Sequence, residues 1–252
     1  MSDERLARIK LMIGEEGLSR LKKSAVTVVG LGAVGSYVVE GLARSGVGRL
    51  RLVDFDEVRA SNINRQLYAL GSTIGRRKAD LAAERVLDIN PHCRVEALKI
   101  FAAPETFAEI LAGPPDLVVD AIDALGPKVG LISEALKAGI PLISSMGAAL
   151  RTDITAVRVG PFSKASGCPL AARVRRLLRR HGHPGDFACA YSTEPLGRLR
   201  TGARLMEPGP DFYERGRKRA ALGSLPTLTG IFGLAIANEA IKLLSGRKKS
   251  LI

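Results

Sequence analysis

Residues that build disulfide scaffolds, zinc knuckles or stacking surfaces are scarce in this sequence. It holds 3 cysteines among 252 residues, and Cys93, Cys168 and Cys189 are far apart. This excludes a disulfide framework and a zinc site of two Cys-x-x-Cys pairs, and a reducing cytoplasm is expected. Aromatic residues make up 4% of the chain, so stacking on nucleic-acid bases would fall to few side chains, such as Phe187 or Tyr191.

Long uninterrupted apolar segments are also missing. The longest apolar run starts at Pro226 and is interrupted by Asn238, Glu239 and Lys242, which argues against a membrane span and predicts a buried C-terminal helix. The first ten residues mix acids and bases without an apolar core, so we expect no secretory signal.

Acidic residues are outnumbered by basic ones. The chain has 38 Lys and Arg against 25 Asp and Glu, a formal net charge of +13 and a pI near 10.1. Such a surface favours polyanionic partners such as tRNA, other nucleic acid or nucleotides, although a generally basic proteome or a solubility role is the plainer interpretation. With 46% hydrophobic residues, the chain can fill the core of one large α/β domain, with or without a small appendage.

Short apolar runs alternate with helical patterns along the chain. This alternation predicts an α/β fold with a doubly wound, Rossmann-like parallel sheet. Residues 73–89 are predicted to form one of its helices. After residue 160 the hydrophobic periodicity weakens, so we place residues 1–160 in a Rossmann-like nucleotide-binding core and residues 161–252 in a basic C-terminal extension packed on it. The extension ends in a helix and is expected to complete the same domain. The predicted strands lie within residues 24–30, 48–54, 93–100, 116–123 and 140–147.

A glycine-rich loop, GLGAVG, follows the first predicted strand. Gly30, Gly32 and Gly35 would let the backbone approach phosphates at the start of a helix. Asp54 ends the second strand, where a carboxylate can accept both hydroxyls of a ribose. The loop alone does not separate a dinucleotide from ATP, and a tight turn with a surface aspartate is the simpler alternative.

A cluster of polar and basic side chains follows Asp54. Guanidinium, ammonium and amide donors suit the β- and γ-phosphates of a triphosphate, whose charge must be neutralised before a nucleophile attacks the α-phosphorus. A nicotinamide cofactor has no such requirement, although an NAD-linked oxidoreductase stays an alternative. The cluster comprises Asp56, Asn62, Asn64, Arg65, Gln66, Arg76, Arg77 and Lys78.

Two further acids, Asp120 and Asp123, are predicted at the end of another strand. In open α/β sheets, ligands bind at this edge. Asp123 is positioned to hold a magnesium ion on the phosphates, and capping of the next helix is its alternative role.

The segment RVRRLLRR places five arginines on the polar side of a predicted amphipathic helix. A cationic face of this kind suits the backbone phosphates of a folded RNA, and a solvated helix face is the alternative. The flanking His181 and His183 have no third ligand nearby, so we favour phosphate contact or plain exposure over a metal site. The arginines are Arg173, Arg175, Arg176, Arg179 and Arg180, and further bases follow at Arg198, Arg200, Arg204, Arg215, Arg217, Lys218 and Arg219.

Residues 25–123 resemble the ThiF/MoeB/HesA family, bacterial relatives of ubiquitin-activating enzymes that adenylate carboxylates. The likeness rests on GLGAVG, LVDFDEV, NINRQ, GRRKAD, INPHCRVE and DAID. It implies a homodimer that binds ATP and magnesium, with Arg65, Lys78 and Asp123 acting in catalysis and Asp123 linked to the metal. The implied nucleotide contacts are Gly30, Gly32, Ala33 and Gly35 for ATP, Asp54 for ribose, and Asn62, Arg65 and Lys78 for the triphosphate.

Within that family, segments such as CAYSTEPL and PLAARVRRLLR are similar to the tRNA threonylcarbamoyladenosine dehydratases. The similarity implies ATP-dependent activation of the threonine carboxylate of the modified adenosine beside the anticodon, followed by ring closure. A sulfur-relay protein is a further partner to consider. The alternative is an adenylating enzyme for a ubiquitin-like or sulfur-carrier protein, against which the missing Cys-x-x-Cys pairs count. Cys189 is the one cysteine to test for reactivity, although a small buried residue is its plainer interpretation.

Two positions depart from the family's pattern. An arginine that reaches the neighbouring subunit's ATP is replaced by Leu11, and Lys10 or Arg8 would have to substitute for it. The family's acidic DPL segment is Cys168-Pro169-Leu170, which leaves the capping of the helix that follows open.

Overall fold

The computed structural model describes residues 4–183, 185–196, 204–206 and 220–247, which alternate between strands and helices. Seven strands form one sheet in the order β3-β2-β1-β4-β5-β7-β6, parallel except for β6, which runs antiparallel to β7. The strands are β1 (Ala25–Val29), β2 (Arg49–Val53), β3 (Arg94–Leu98), β4 (Leu117–Asp120), β5 (Leu142–Ser145), β6 (Val157–Pro161) and β7 (Ala188–Ser192), and a separate hairpin pairs β8 (Arg204–Met206) with β9 (Ala220–Leu222).

Seven α-helices accompany the strands within the described ranges. They are α1 (Ala7–Lys23), α2 (Gly35–Arg44), α3 (Lys78–Ile89), α4 (Phe107–Ile110), α5 (Leu125–Lys137), α6 (Pro169–Arg180) and α7 (Pro226–Leu244). Helices α2, α3 and α7 share one apolar core with the sheet, whereas α4, α5 and α6 share the other. The sheet is therefore covered on both faces, and the predicted doubly wound fold is confirmed.

The central strands are apolar because both of their faces are buried. In β1, Val26 and Val28 belong to one core and Val29 to the other, and all three are at most 2% exposed. Parallel strands in this position need side chains that pack on both faces, and β-branched valine suits them.

The predicted helix over residues 73–89 begins later, at Lys78. Gly75 adopts a positive φ of 84° and Arg77 is extended, so the backbone turns before the helix can start. Glycine adopts this conformation without the steric cost that other residues meet. The delayed start places Lys78 at the helix N-terminus.

Elements beyond Pro161 enter the same sheet. Strand β7 pairs with β5, and α7 packs against α2 on one sheet face. Helix α7 is also the one described helix long and apolar enough to cross a membrane, but half of its apolar window is buried in the fold. This matches the predicted buried C-terminal helix, while the division at residue 160 stays a prediction.

Candidate nucleotide-binding site

Three strand ends meet at one edge of the sheet. In the register, Val29 of β1 pairs with Val53 of β2 on one side and with Asp120 of β4 on the other. The segments that follow these strands are therefore neighbours, although they are far apart in the sequence. This is the carboxyl edge at which open α/β sheets bind ligands.

Close backbone packing requires two of the three glycines of the loop, Gly30 and Gly35. Gly30 has a φ of 89°, and a Cβ there would lie 2.8 Å from the carbonyl oxygen of Ala121. A Cβ on Gly35, the first residue of α2, would overlap the carbonyl of Gly30. Gly32 faces the Gln66 amide, 3.6 Å from where a Cβ would stand. The resulting loop leads into a helix N-terminus, an arrangement that suits a phosphate.

Asp54 is fixed at the end of β2 and is 8% exposed. Its two carboxylate oxygens accept backbone hydrogen bonds, from the N–H of Leu31 at 2.7 Å and of Asp56 at 2.8 Å. Burial raises the pKa of Asp54, although Lys78 and these two N–H groups act in the opposite direction. The carboxylate is thus preoriented beside the glycine loop, where a ribose acid is expected.

Lys78 lies beside Asp54 although it belongs to a different element. Its Nζ donates to the Asp56 carboxylate at 3.0 Å, and its backbone N–H donates to the Asp56 carbonyl at 3.0 Å. The Lys78 side chain is 6% exposed, whereas that of Asp56 is 28% exposed. A cation held by protein contacts therefore stands at this edge of the sheet.

The segment between Asp56 and Lys78 carries the remaining predicted contacts. Asn62 is buried and its side-chain oxygen accepts from the Arg59 N–H at 3.1 Å, which fixes the turn. The Arg65 guanidinium donates through Nη1 to the Ser61 carbonyl and to the side-chain oxygen of Asn64. Asn64 itself is exposed.

Asp120 and Asp123 differ in their surroundings. Asp123 is exposed, three residues beyond the end of β4, and the adjoining helix is capped at Ala124 without a side-chain bond. Asp120 is fully buried and accepts from the Lys128 Nζ at 2.6 Å and the Ser144 hydroxyl at 2.6 Å. No group of three or more His, Cys, Asp or Glu side chains within the described ranges could hold a metal by itself. Since magnesium commonly uses one or two carboxylates plus phosphate oxygens, Asp123 still fits such an ion.

Known proteins match this chain over nearly its whole length. The model of the ThiF family matches residues 4–252. The chain belongs to the ThiF family. Its sequence is 50% identical over 235 residues to the tRNA threonylcarbamoyladenosine dehydratase of Bacillus subtilis, covering 93% of this chain and 92% of that protein.

Two other proteins also match this ThiF-family chain over nearly all of its length. The structure of Escherichia coli tRNA N6-threonylcarbamoyladenosine dehydratase, TcdA, in complex with ATP matches with a TM-score of 0.84 at 32% identity, over 97% of this chain and 95% of that one. The sulfur carrier protein adenylyltransferase of Thermus thermophilus is 40% identical over 95% of this chain and 76% of its own length.

In this ThiF-family protein, four of the five arginines on α6 are exposed. Arg175 differs, because its Nη2 donates to the carbonyls of Phe162 at 2.9 Å and Ala165 at 2.8 Å while its guanidinium stacks 4.8 Å above the Phe162 ring. Arg175 thus anchors the segment before α6, which argues against the predicted contact of this residue with RNA. The exposed set is Arg173, Arg176, Arg179 and Arg180.

The other basic positions are only partly described. Of Arg204 the structure describes the backbone, within β8. Six bases lie outside the described residues: Arg198, Arg200, Arg215, Arg217, Lys218 and Arg219.

The prediction that Phe187 or Tyr191 stacks on nucleic-acid bases is wrong. Phe187 is 1% exposed and stacks on Phe162, with ring centroids 4.6 Å apart, and Tyr191 is 8% exposed. Both belong to the core on one face of the sheet, so neither presents a ring to a base. Sequence alone did not separate them from surface aromatics.

The cysteines of this ThiF-family chain are buried and free. Burial raises the pKa of Cys189 to about 12, which makes it a packing residue rather than a nucleophile. Cys168 caps α6, since its Sγ accepts from the Ala171 N–H at 3.5 Å. The capping question left by the missing acid is thereby answered.

The N-terminal helix exposes two apolar side chains. Leu11 is 87% exposed and Met12 is 66% exposed, just before a kink where Gly14 has a φ of 79°. Lys10 forms an ion pair with Glu15, and Arg8 is exposed. The substitution of Lys10 or Arg8 for the arginine that reaches a second subunit stays a prediction.

Proposed function

We propose that this protein is an ATP-dependent dehydratase that adenylates the threonine carboxylate of threonylcarbamoyladenosine in tRNA and promotes its cyclisation. The observation that carries the proposal is the 50% identity, over more than nine tenths of both chains, to a relative named for this dehydration. The described site supports the proposal, because the glycine loop, Asp54 and Lys78 fit a nucleotide whose leaving pyrophosphate carries negative charge.

In the proposed first step, a threonine carboxylate oxygen attacks the α-phosphorus of ATP and pyrophosphate leaves. Asp54 would hold the ribose hydroxyls, and the glycine loop would hold the phosphates at the N-terminus of α2. Lys78 and Arg65 would stabilise the charge that builds on the leaving pyrophosphate, the role assigned to preoriented cations.

In the proposed second step, a nitrogen or oxygen of the same modified group attacks the activated acyl carbon. AMP leaves and the attacking atom loses its proton, so the nucleoside loses one water in total. The step transfers no group to the protein, which is consistent with the high pKa of the Cys189 thiol.

Magnesium, dimer formation and a cytoplasmic location complete the proposal. Asp123 would hold magnesium together with phosphate oxygens, and the ion would supply further neutralisation of the triphosphate. Exposed Leu11 and Met12 support burial against a second copy of the chain, since solvent-facing apolar clusters commonly mark interfaces. The exposed α6 arginines would bind tRNA phosphates, and a sulfur-relay protein stays a further proposed partner.

The test is pyrophosphate release with tRNA as the variable. We expect release that requires tRNA carrying threonylcarbamoyladenosine and fails with unmodified transcript. A second candidate, activation of a sulfur-carrier protein, is favoured by the relative from Thermus thermophilus. Exchange of labelled pyrophosphate into ATP that depends on a carrier ending in Gly-Gly, and not on tRNA, would replace the proposal with this second function.

A further inference from the structure

Lys128 is a cation inside the apolar helix α5, and its side chain is fully buried. Lysine is rarely buried in this way unless it is paired, because an isolated charge loses its hydration. The local sequence gives no reason for a cation at this position, since the other buried residues of α5 are mostly apolar. A specific partner must therefore explain the position.

The partners of Lys128 lie at the ends of two strands. Its Nζ donates to the Asp120 carboxylate at 2.6 Å, to the Ser145 carbonyl at 2.9 Å and to the Ser144 hydroxyl at 3.3 Å. These three acceptors use all three ammonium donors. Lys128 is thus committed to protein groups rather than to a ligand.

Asp120 passes this anchoring to the turn that follows β4. One oxygen accepts from Lys128 and the Ser144 hydroxyl, and the other accepts the Ile122 N–H at 3.0 Å. The turn of residues 121–123 is therefore tied through a single carboxylate to α5 and β5. Asp123 is the last residue of that turn.

The same turn closes against the glycine loop. The Ala121 carbonyl is the atom that a Cβ on Gly30 would meet first, and the Ala121 side chain lies 3.3 Å from where a Cβ on Gly35 would stand. A shift of the turn would displace both Asp123 and the wall of the phosphate loop.

We infer that Lys128, acting through Asp120, is a positioning residue of the nucleotide site: it fixes the turn that carries Asp123 and packs on the glycine loop. The inference rests on the proposed function, because it needs Asp123 to act on a metal-bound triphosphate. Asp54 is anchored separately, by the backbone of Leu31 and Asp56, so the ribose end of the site should not depend on Lys128.

A purely structural ion pair is the competing explanation. Buried pairs often contribute little net stability and can be replaced by apolar residues. The two explanations differ in what a variant loses: a structural pair changes the melting temperature alone, whereas a positioning pair changes the metal-dependent part of nucleotide binding.

The test compares Lys128→Met with Lys137→Met, which removes an exposed lysine of the same helix. Calorimetry measures the affinity for a non-hydrolysable ATP analogue with and without Mg²⁺, and the affinity for AMP. We expect Lys128→Met to lose roughly 10-fold or more of the Mg²⁺-dependent gain, the size expected when a supporting contact of a metal ligand is removed. AMP affinity should stay within about threefold, and Lys137→Met should match the wild type.

Ser144→Ala provides a milder variant, because it removes one partner of Asp120 and leaves the ion pair. It should lose part of the same Mg²⁺-dependent gain, and it serves as the test where Lys128→Met does not fold. An unchanged Mg²⁺-dependent gain in every variant that folds, whatever its melting temperature, would overturn the inference. Failure of the proposed function would show instead in the wild type, as analogue binding that Mg²⁺ does not strengthen and pyrophosphate release that modified tRNA does not stimulate.

Discussion

Removal of the Lys78 ammonium tests the proposed chemistry at one atom. Its Nζ lies 3.0 Å from the Asp56 carboxylate and its side chain is only 6% exposed, so the ammonium is already oriented for the reaction. Loss of one preoriented charge-stabilising donor typically lowers the rate by about 10²–10³-fold, or about 3–4 kcal/mol of transition-state stabilisation. We therefore expect Lys78→Met to slow adenylation by at least this factor at saturating ATP.

The assay is single-turnover pyrophosphate release with modified tRNA, alongside a thermal melt. Asp56 keeps contact with solvent, so the loss of its partner should cost only about 1 kcal/mol of folding free energy. Lys99→Met is the matched control, since Lys99 is half exposed in an ion pair with Asp80. If Lys78→Met reacted within threefold of the wild-type rate, the assigned role of Lys78 would be wrong.

Four further predictions concern the exposed arginines of α6, the buried Arg175, the ribose acid and Cys189. Replacing Arg173, Arg176 and Arg180 together with glutamine should weaken tRNA binding and flatten its dependence on salt, because fewer counterions are released; filter binding at several salt concentrations measures this, and an unchanged slope would reject α6 as the tRNA-binding surface. Arg175→Gln should instead lower the melting temperature, since two carbonyls lose their donor. Adenosine affinity should fall as pH decreases through the pKa of Asp54, because the carboxylate must be ionised to accept the ribose hydroxyls. Since burial raises that pKa, the loss of affinity should begin above the pH range of an ordinary aspartate. A calorimetric affinity that stays constant down to pH about 4 would contradict this prediction. Iodoacetamide at neutral pH should leave Cys189 unlabelled in the folded protein, as its thiol has a pKa of about 12; mass mapping that finds it labelled, with loss of activity, would restore the catalytic interpretation.

The sequence was sufficient to predict strands β1 to β5 and the sheet edge at which they end, but not β6 and β7 of the same sheet. Apolar β-branched runs such as β1 and glycines at fixed spacing are local signals, and each reflects a local physical need. Asp54 could be placed at the end of β2 in the same way, because it directly follows the apolar run that forms the strand.

Long-range contacts could not be predicted. Lys128 reads as an ordinary helix cation until β4 and β5 bring Asp120 and the Ser144 hydroxyl to it. Arg175 looked equivalent to its neighbours, yet its helix position turns it towards two carbonyls before α6. Phe187 was predicted as a candidate for base stacking. Its burial could not be predicted because the ring on which it stacks, that of Phe162, is distant in the sequence.

The proposed function makes one specific claim: ATP drives loss of water from a modified adenosine in tRNA. The most direct measurement is mass spectrometry of nucleosides released from tRNA before and after incubation with the protein and Mg-ATP. We expect threonylcarbamoyladenosine to be converted into a species lighter by one water, with no conversion when ATP is omitted. Unaltered threonylcarbamoyladenosine after incubation with active, folded protein and Mg-ATP would contradict the claim.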